Sequence, residues 1–288
     1  MPELWTEATV DVASDCADAV ASFLIDLGSP GLITEEREQV VTLTAYLDAD
    51  PDAQLRALRA FCDNLIAASP GTPAVKIATR PLPQADWAHN WRAHFPPLTV
   101  GQRLYIIPPW IHEVPRGRIA IIIDPGLAFG TGHHATTQSC LTLVESIVAA
   151  RPTARALDVG TGSGILAIAL AKLGVAEVHA IDIDPEARRA AMENCARNGV
   201  AERVRIGEEV PSASPPFDLI VANLLSSLLI ELTPMLTAAL ARGGHLIASG
   251  ILVGETDAVV QAFAKRHLVE HTRLVCGEWV TLDFTAAS

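Results

Sequence analysis

Ala156-Leu157-Asp158-Val159-Gly160-Thr161-Gly162-Ser163-Gly164-Ile165-Leu166 is the stretch on which the fold turns. The apolar run ending at Val159 reads as a buried strand, and Ile165 opens a helical pattern. Glycines at 160, 162 and 164 stand between them, where the chain must turn tightly and let another molecule approach its backbone. Strand, glycine loop and helix in that order make the nucleoside-binding turn of an open α/β sheet. Asp182 lies 22 residues after Gly160, at the end of a second strand-like run, His179-Ala180-Ile181. A carboxylate there can accept both hydroxyls of a ribose. Asp184, just before Pro185, suits the cap of the next helix.

On either side of this stretch, strand-like runs fall at 103–107, 119–123, 154–159, 177–181, 204–206, 219–222 and 245–249. Helical runs at 136–150, 165–173, 185–198, 227–241 and 255–267 separate most of them. Strands alternating with helices predict a doubly wound, Rossmann-like, mostly parallel sheet of the α/β class. The end differs, because 268–274 and 279–284 are joined by Cys276-Gly277 and read as a hairpin. A seven-stranded, otherwise parallel sheet closed by an antiparallel hairpin resembles the class I methyltransferases.

Upstream the pattern changes. Residues 4–12 alternate as a strand, and 14–27 carry apolar residues at helical spacing, with Ser14 or Asp15 able to cap them. Residues 31–35 and 39–47 read as a hairpin, 51–68 as a second helix and 74–79 as a fourth strand. The order βαββαβ predicts a small α+β domain of ferredoxin-like type over 1–80. Residues 81–98, bracketed by prolines around a short helix at 84–93, read as a semi-rigid linker. Trp87 and Trp91 share one face of that helix. A catalytic domain over 99–288 follows.

Composition narrows the function classes. Half of the 288 residues are hydrophobic and 19% are charged, which suits a large packed core. No apolar run is long enough to cross a membrane, and residues 1–5 lack the start of a secretory signal. The five cysteines are far apart with no CxxC pair, as expected for free thiols in a reducing cytoplasm. Residues 1–80 hold 13 acidic and 5 basic residues, a net of −8 out of −12 for the chain. Such a domain repels a phosphate backbone and favours a basic partner, so nucleic-acid binding is not expected. RNA-binding domains of ferredoxin-like topology present aromatic and basic residues on their strands, and this one is poor in both.

The glycine spacing chooses the cofactor. Dinucleotide sites use GxGxxG, with a helix N-terminus against pyrophosphate. Here the third glycine comes one residue early, and Asp158 stands two before the first. S-adenosylmethionine has no phosphate but a cationic sulfonium, which a carboxylate beside the loop suits. A nicotinamide oxidoreductase is disfavoured further, since no Tyr–Lys or His–Asp pair stands out. The strand ending at Ala222 delivers Asn223 to the carboxyl edge of the sheet, where its carboxamide can orient an acceptor amine. Asn223-Leu224-Leu225-Ser226 replaces the Asn-Pro-Pro-Tyr of many amino-methylating enzymes, which weighs against an adenine or glutamine acceptor. A loop rich in glycine and hydroxyls, Asp124-Pro125-Gly126-Leu127-Ala128-Phe129-Gly130-Thr131-Gly132-His133-His134-Ala135-Thr136-Thr137, leads into a helix that Thr136 or Thr137 can cap. Adjacent histidines rarely converge on one ion, so no metal is expected.

These segments together carry a resemblance that spans nearly the whole chain. Asp86-Trp87-Ala88 with Trp91, Pro108-Pro109-Trp110, the 124–137 loop, 158–164, Asp182-Ile183-Asp184-Pro185, Ala222-Asn223-Leu224, Ser249-Gly250-Ile251-Leu252 and Gly277-Glu278-Trp279 are similar to the ribosomal protein L-eleven (L11) methyltransferases. The resemblance implies a cytoplasmic enzyme that trimethylates lysine ε-amines and the N-terminal α-amine of that protein, with S-adenosylmethionine as donor. It implies cofactor contacts from Thr137, Gly160, Asp182 and Asn223, and a substrate grip by the ferredoxin-like domain. Phe129, Gly130, Asp158 and Gly162 are expected beside them, with Asn223 as the catalytic residue. His133-His134-Ala135 departs from the commoner Thr-His-Pro, and Glu278-Trp279-Val280 from Glu-Trp-Cys.

Overall fold

The first unit, Met1–Pro96, is built from β1 (Leu4–Ala13), α1 (Ser14–Asp26), β2 (Leu32–Arg37), β3 (Val40–Leu47), α2 (Pro51–Ala68) and β4 (Lys76–Pro83). The structure is a computed structural model that describes residues 4–29, 32–37, 40–47, 51–68, 75–83, 95–125, 132–210 and 214–286. The strands lie in the order β2-β3-β1-β4 with every neighbouring pair antiparallel, the ferredoxin-like arrangement. Val10, Val12, Leu43 and Ala45 bury one face of this sheet against Val20 and Leu24 of α1 and Leu58 of α2. Phe23 and Phe61 stack between the two helices at 4.1 Å. Helix α1 begins at Ser14 itself, so Ala13 takes the cap position and no side chain caps the helix.

β4 runs four residues past the expected strand end. Pro81 and Pro83 pair with Thr6 and Leu4 of β1. A proline has no N–H to give a ladder, but β4 is an edge strand. Alternate residues of an edge strand can turn their nitrogens outward, where nothing needs the bond. The expected linker helix at 84–93, with Trp87 and Trp91, lies outside the described residues.

The second unit, Pro97–Ser288, opens with a small sheet. β5 (Leu98–Val100), β6 (Leu104–Ile107) and β7 (Ile119–Ile122) stand in that order, the first pair antiparallel and the second parallel. The runs at 103–107 and 119–123 therefore belong to a sheet of their own. β5 was not foreseen, since three residues give too short a pattern to read.

The remaining elements are α3 (Ala135–Ala150), β8 (Arg155–Val159), α4 (Ile165–Leu173), β9 (Glu177–Ile181), α5 (Pro185–Arg197), β10 (Val204–Gly207), β11 (Phe217–Asn223), α6 (Ser226–Ala239), β12 (Leu240–Leu252), α7 (Thr256–Ala264), β13 (Leu268–Cys276) and β14 (Trp279–Ala286). Seven strands form one sheet in the order β10-β9-β8-β11-β12-β14-β13. The first five are parallel, and β14 runs antiparallel between β12 and β13. Alternation on β11 shows how both faces are covered. Leu219 and Val221 pack with Leu141, Ile147 and Ile168 on one side, and Ile220 and Ala222 with Leu236, Leu246 and Phe263 on the other. From β8 the chain moves outward through β9 and β10, then returns to β11 on the other side of β8. That reversal opens a crevice at the carboxyl ends of β8, β9 and β11, the place where doubly wound sheets bind ligands. All five cysteines are free. Among the described residues, no helix is long and apolar enough to cross a membrane.

Candidate functional site

The loop leaving β8 is tied to β9. The N–H groups of Gly160 and Thr161 both donate to the carbonyl of Ile181, at 2.9 and 3.0 Å. Gly160, Gly162 and Gly164 all take positive φ, at 71°, 53° and 83°, a region that a side chain makes unfavourable. Two of the glycines also allow close packing. A Cβ on Gly164 would stand 3.2 Å from the Cα of Ala191 on α5, and one on Gly160 would stand 2.4 Å from a methyl of Leu224. The first glycine thus brings the β8 loop against the end of β11.

Gly164 caps α4 and has no side chain to offer. Asp158 takes over that task from beneath the loop. Its Oδ2 accepts the Thr161 hydroxyl at 2.6 Å and the Ala167 N–H at 3.1 Å. The side chain is fully buried, and burial drives its carboxyl up to about 6, against the opposing pull of those two hydrogen bonds. Through these bonds Asp158 supports the loop from beneath.

A pH dependence follows from this carboxyl. Its native pKa of about 6 exceeds the ordinary 3.8, so the folded state holds the proton more tightly than the unfolded one. The stabilisation is present below the ordinary value and is lost as pH rises through the native one, by about 3 kcal/mol at most. Urea unfolding at about pH 4.5 and 7.5 should show wild type losing more stability across that window than Asp158→Asn, whose side-chain oxygen keeps both hydrogen bonds. Equal losses in the two proteins would remove Asp158 as the source.

Asp182 stands just past the end of β9 and is half-buried. Its Oδ2 accepts the Gly162 N–H at 2.9 Å and its Oδ1 the Asp184 N–H at 3.0 Å. Each oxygen thereby uses one of its two acceptor positions and keeps the other. Asp184 caps α5 through the Glu186 N–H at 2.9 Å, as expected.

From the other side of the crevice, Asn223 closes β11 and reaches the start of α3. Its Nδ2 donates to Oγ1 of Thr136 at 3.2 Å and of Thr137 at 3.5 Å. Both threonines are buried. Neither caps the helix. The cap is His134, whose Nδ1 accepts the Thr136 N–H at 3.4 Å and lies 2.7 Å from its hydroxyl. The sequence reading missed His134 because imidazole is not a usual cap. It had no sign of the Thr136–Asn223 contact, which joins segments 87 residues apart. Behind Asn223, Leu224 donates its N–H to the carbonyl of Ser249 at 3.0 Å. A Cβ on Gly250 would stand 2.4 Å from the Leu224 carbonyl oxygen, so only glycine admits that backbone.

The structure therefore gathers Gly160, Gly162, Asp182, Thr137 and Asn223 around the switch point, with Asp158 beneath. Phe129 and Gly130 lie outside the described residues. Among the described residues, no group of three His, Cys, Asp or Glu is arranged to hold a metal.

A family model described as "Ribosomal protein L11 methyltransferase (PrmA)" matches residues 4–287. The chain belongs to that family. The L11 methyltransferase of Pelobacter propionicus is 38% identical, with 100% of this chain and 99% of that protein covered. The L11 methyltransferase of Symbiobacterium thermophilum is 40% identical over 88% of this chain and 90% of its own. A crystal structure of ribosomal protein L11 methylase from Lactobacillus delbrueckii subsp. bulgaricus matches with a TM-score of 0.62 and 36% identity. It covers 67% of this chain and 99% of its own. Membership in that family makes the chain a methyltransferase that acts on protein.

Proposed function

We propose that the chain transfers methyl groups from S-adenosylmethionine to ribosomal protein L11, on lysine ε-amines and the N-terminal α-amine, up to the trimethyl state. The observation that carries this reading is the meeting of Asn223 with Thr136 and Thr137 across the crevice from a glycine loop and Asp182. The donor set suits the cofactor. Asp182 retains two acceptor positions for ribose hydroxyls, and Gly162 is pinned to the same carboxylate. When bound, S-adenosylmethionine supplies an electrophilic methyl carbon on a cationic sulfur.

The chain's residues contribute position above all, because displacement at a sulfonium methyl needs little acid–base help. With its NH2 committed to the threonines, Asn223 has Oδ1 left to accept an N–H of the acceptor amine and aim its lone pair. A lysine of ordinary pKa ~10.4 must first lose a proton, at about 4.6 kcal/mol at pH 7, while an α-amine near 8 needs about 1.4. A neighbouring sulfonium and partial burial lower both figures, and the proton leaves to water. We assign the acidic first unit to the grip on L11 and the activity to the cytoplasm, where ribosomes assemble.

Purified L11, S-adenosylmethionine and the enzyme, followed by intact-protein mass spectrometry, test the reading. Wild type should shift L11 in steps of one methyl group, and single-turnover rates for Asn223→Ala should fall roughly 10- to 100-fold at saturating cofactor. An unshifted L11 overturns the substrate, and an unimpaired Asn223→Ala overturns the assignment of that residue.

A further inference from the structure

The hydroxyl of Thr136, a residue only 3% exposed, lies between His134 Nδ1 at 2.7 Å and Asn223 Nδ2 at 3.2 Å. The Thr136 backbone N–H also points at His134 Nδ1, at 3.4 Å. An N–H can only donate, so Nδ1 must offer a lone pair, and the imidazole proton sits on Nε2. The hydroxyl has one proton to give, and its short contact sends that proton to Nδ1. Its own lone pairs are then left to accept, so the face of Asn223 turned toward it must be the NH2. The imidazole ring is in turn seated edge-on against Trp279, with centroids 5.1 Å apart and planes 71° apart.

We propose that His134 is a positioning residue for methyl transfer: through the Thr136 hydroxyl it decides which way round the Asn223 carboxamide faces the acceptor amine. The inference rests on the assignment of Asn223 made above. Orientation matters because the two faces of a carboxamide do opposite things. Oδ1 accepts an N–H and leaves the amine lone pair open. A carboxamide turned over would donate into that lone pair and compete with the methyl carbon for it.

The test is a cycle of single-turnover rates on L11 at saturating S-adenosylmethionine, with cofactor affinity measured by calorimetry. His134→Ala is expected to slow transfer roughly 10-fold or more while leaving cofactor affinity within about 2-fold. His134→Asn, whose side-chain oxygen can accept from both Thr136 groups, should restore the rate to within about 3-fold of wild type. In an Asn223→Ala background, His134→Ala should change the rate by less than about 2-fold, because the group it orients is gone. Should the alanine variant not fold, Thr136→Val deletes the relaying hydroxyl and carries the same expectations. Effects that multiply in the double variant, or a wild-type rate for His134→Ala, overturn the proposal while leaving Asn223 in place. A wild-type rate for Asn223→Ala overturns both.

Discussion

A fragment beginning at Pro97 is expected to bind S-adenosylmethionine as the full chain does and to lose methylation of L11 by roughly 100-fold or more. Every described residue proposed for the cofactor lies beyond that point, and the second unit has its own apolar core from Val100 to Phe284. What the fragment lacks is the ferredoxin-like unit, where residues 1–80 concentrate a net charge of −8. Two surfaces that hold one substrate raise its effective concentration at the site, and losing one forfeits a factor of about 10² or more. If the lost grip is electrostatic, activity of the full chain should also fall with added salt, since exposed charges are screened within a Debye length. The measurement is the rate on purified L11, for fragment and full chain, at low and high ionic strength. Equal rates at low salt would show that the acidic unit does not recruit the substrate.

Asp182→Ala should weaken S-adenosylmethionine binding by roughly 10- to 100-fold, the equivalent of two charge-assisted hydrogen bonds lost. The structure adds a second contribution, because the same carboxylate holds the Gly162 and Asp184 N–H groups. Removing it frees the glycine loop as well as deleting the proposed ribose acceptor. Asp182→Asn separates the two, since it keeps one acceptor oxygen for either task and should fall between alanine and wild type. Calorimetric titration of the folded variants decides the matter, and wild-type affinity for the alanine variant would take Asp182 out of the site.

Local signals were legible in the sequence and distant ones were not. The run 156–166 declared a strand, a turn and a helix because period, glycine and apolar residues sit within a few positions of one another. β8 ends at Val159 and α4 begins at Ile165, as read. Sheet membership is a long-range property, and nothing in Ile119–Ile122 distinguishes a strand of a small separate sheet from one of the main sheet. Pro81 and Pro83 looked like strand breakers until β4 proved to be an edge. At the site, Asp158 stood beside the right loop, but only burial shows that it works from beneath. Asn223 was legible from the strand that delivers it and the cofactor role of Thr137 only from resemblance to a family, while the His134 cap and the contact of Thr136 with Asn223 emerged only once the start of α3 met the end of β11.

The position of β14 has a consequence for how the protein is made. It is the last of the seven strands to be synthesised, yet it lies between β12 and β13. A nascent chain that has emerged through β13 therefore holds two strands that cannot yet be joined, with β12 presenting a bare edge. Open edges invite pairing with other chains, and segments awaiting a late partner are where growing chains misassemble. Trp279, which seats His134, also arrives with this strand. The strand that completes the sheet thus also brings the ring against which His134 packs, and a chain terminated before Trp279 forfeits both.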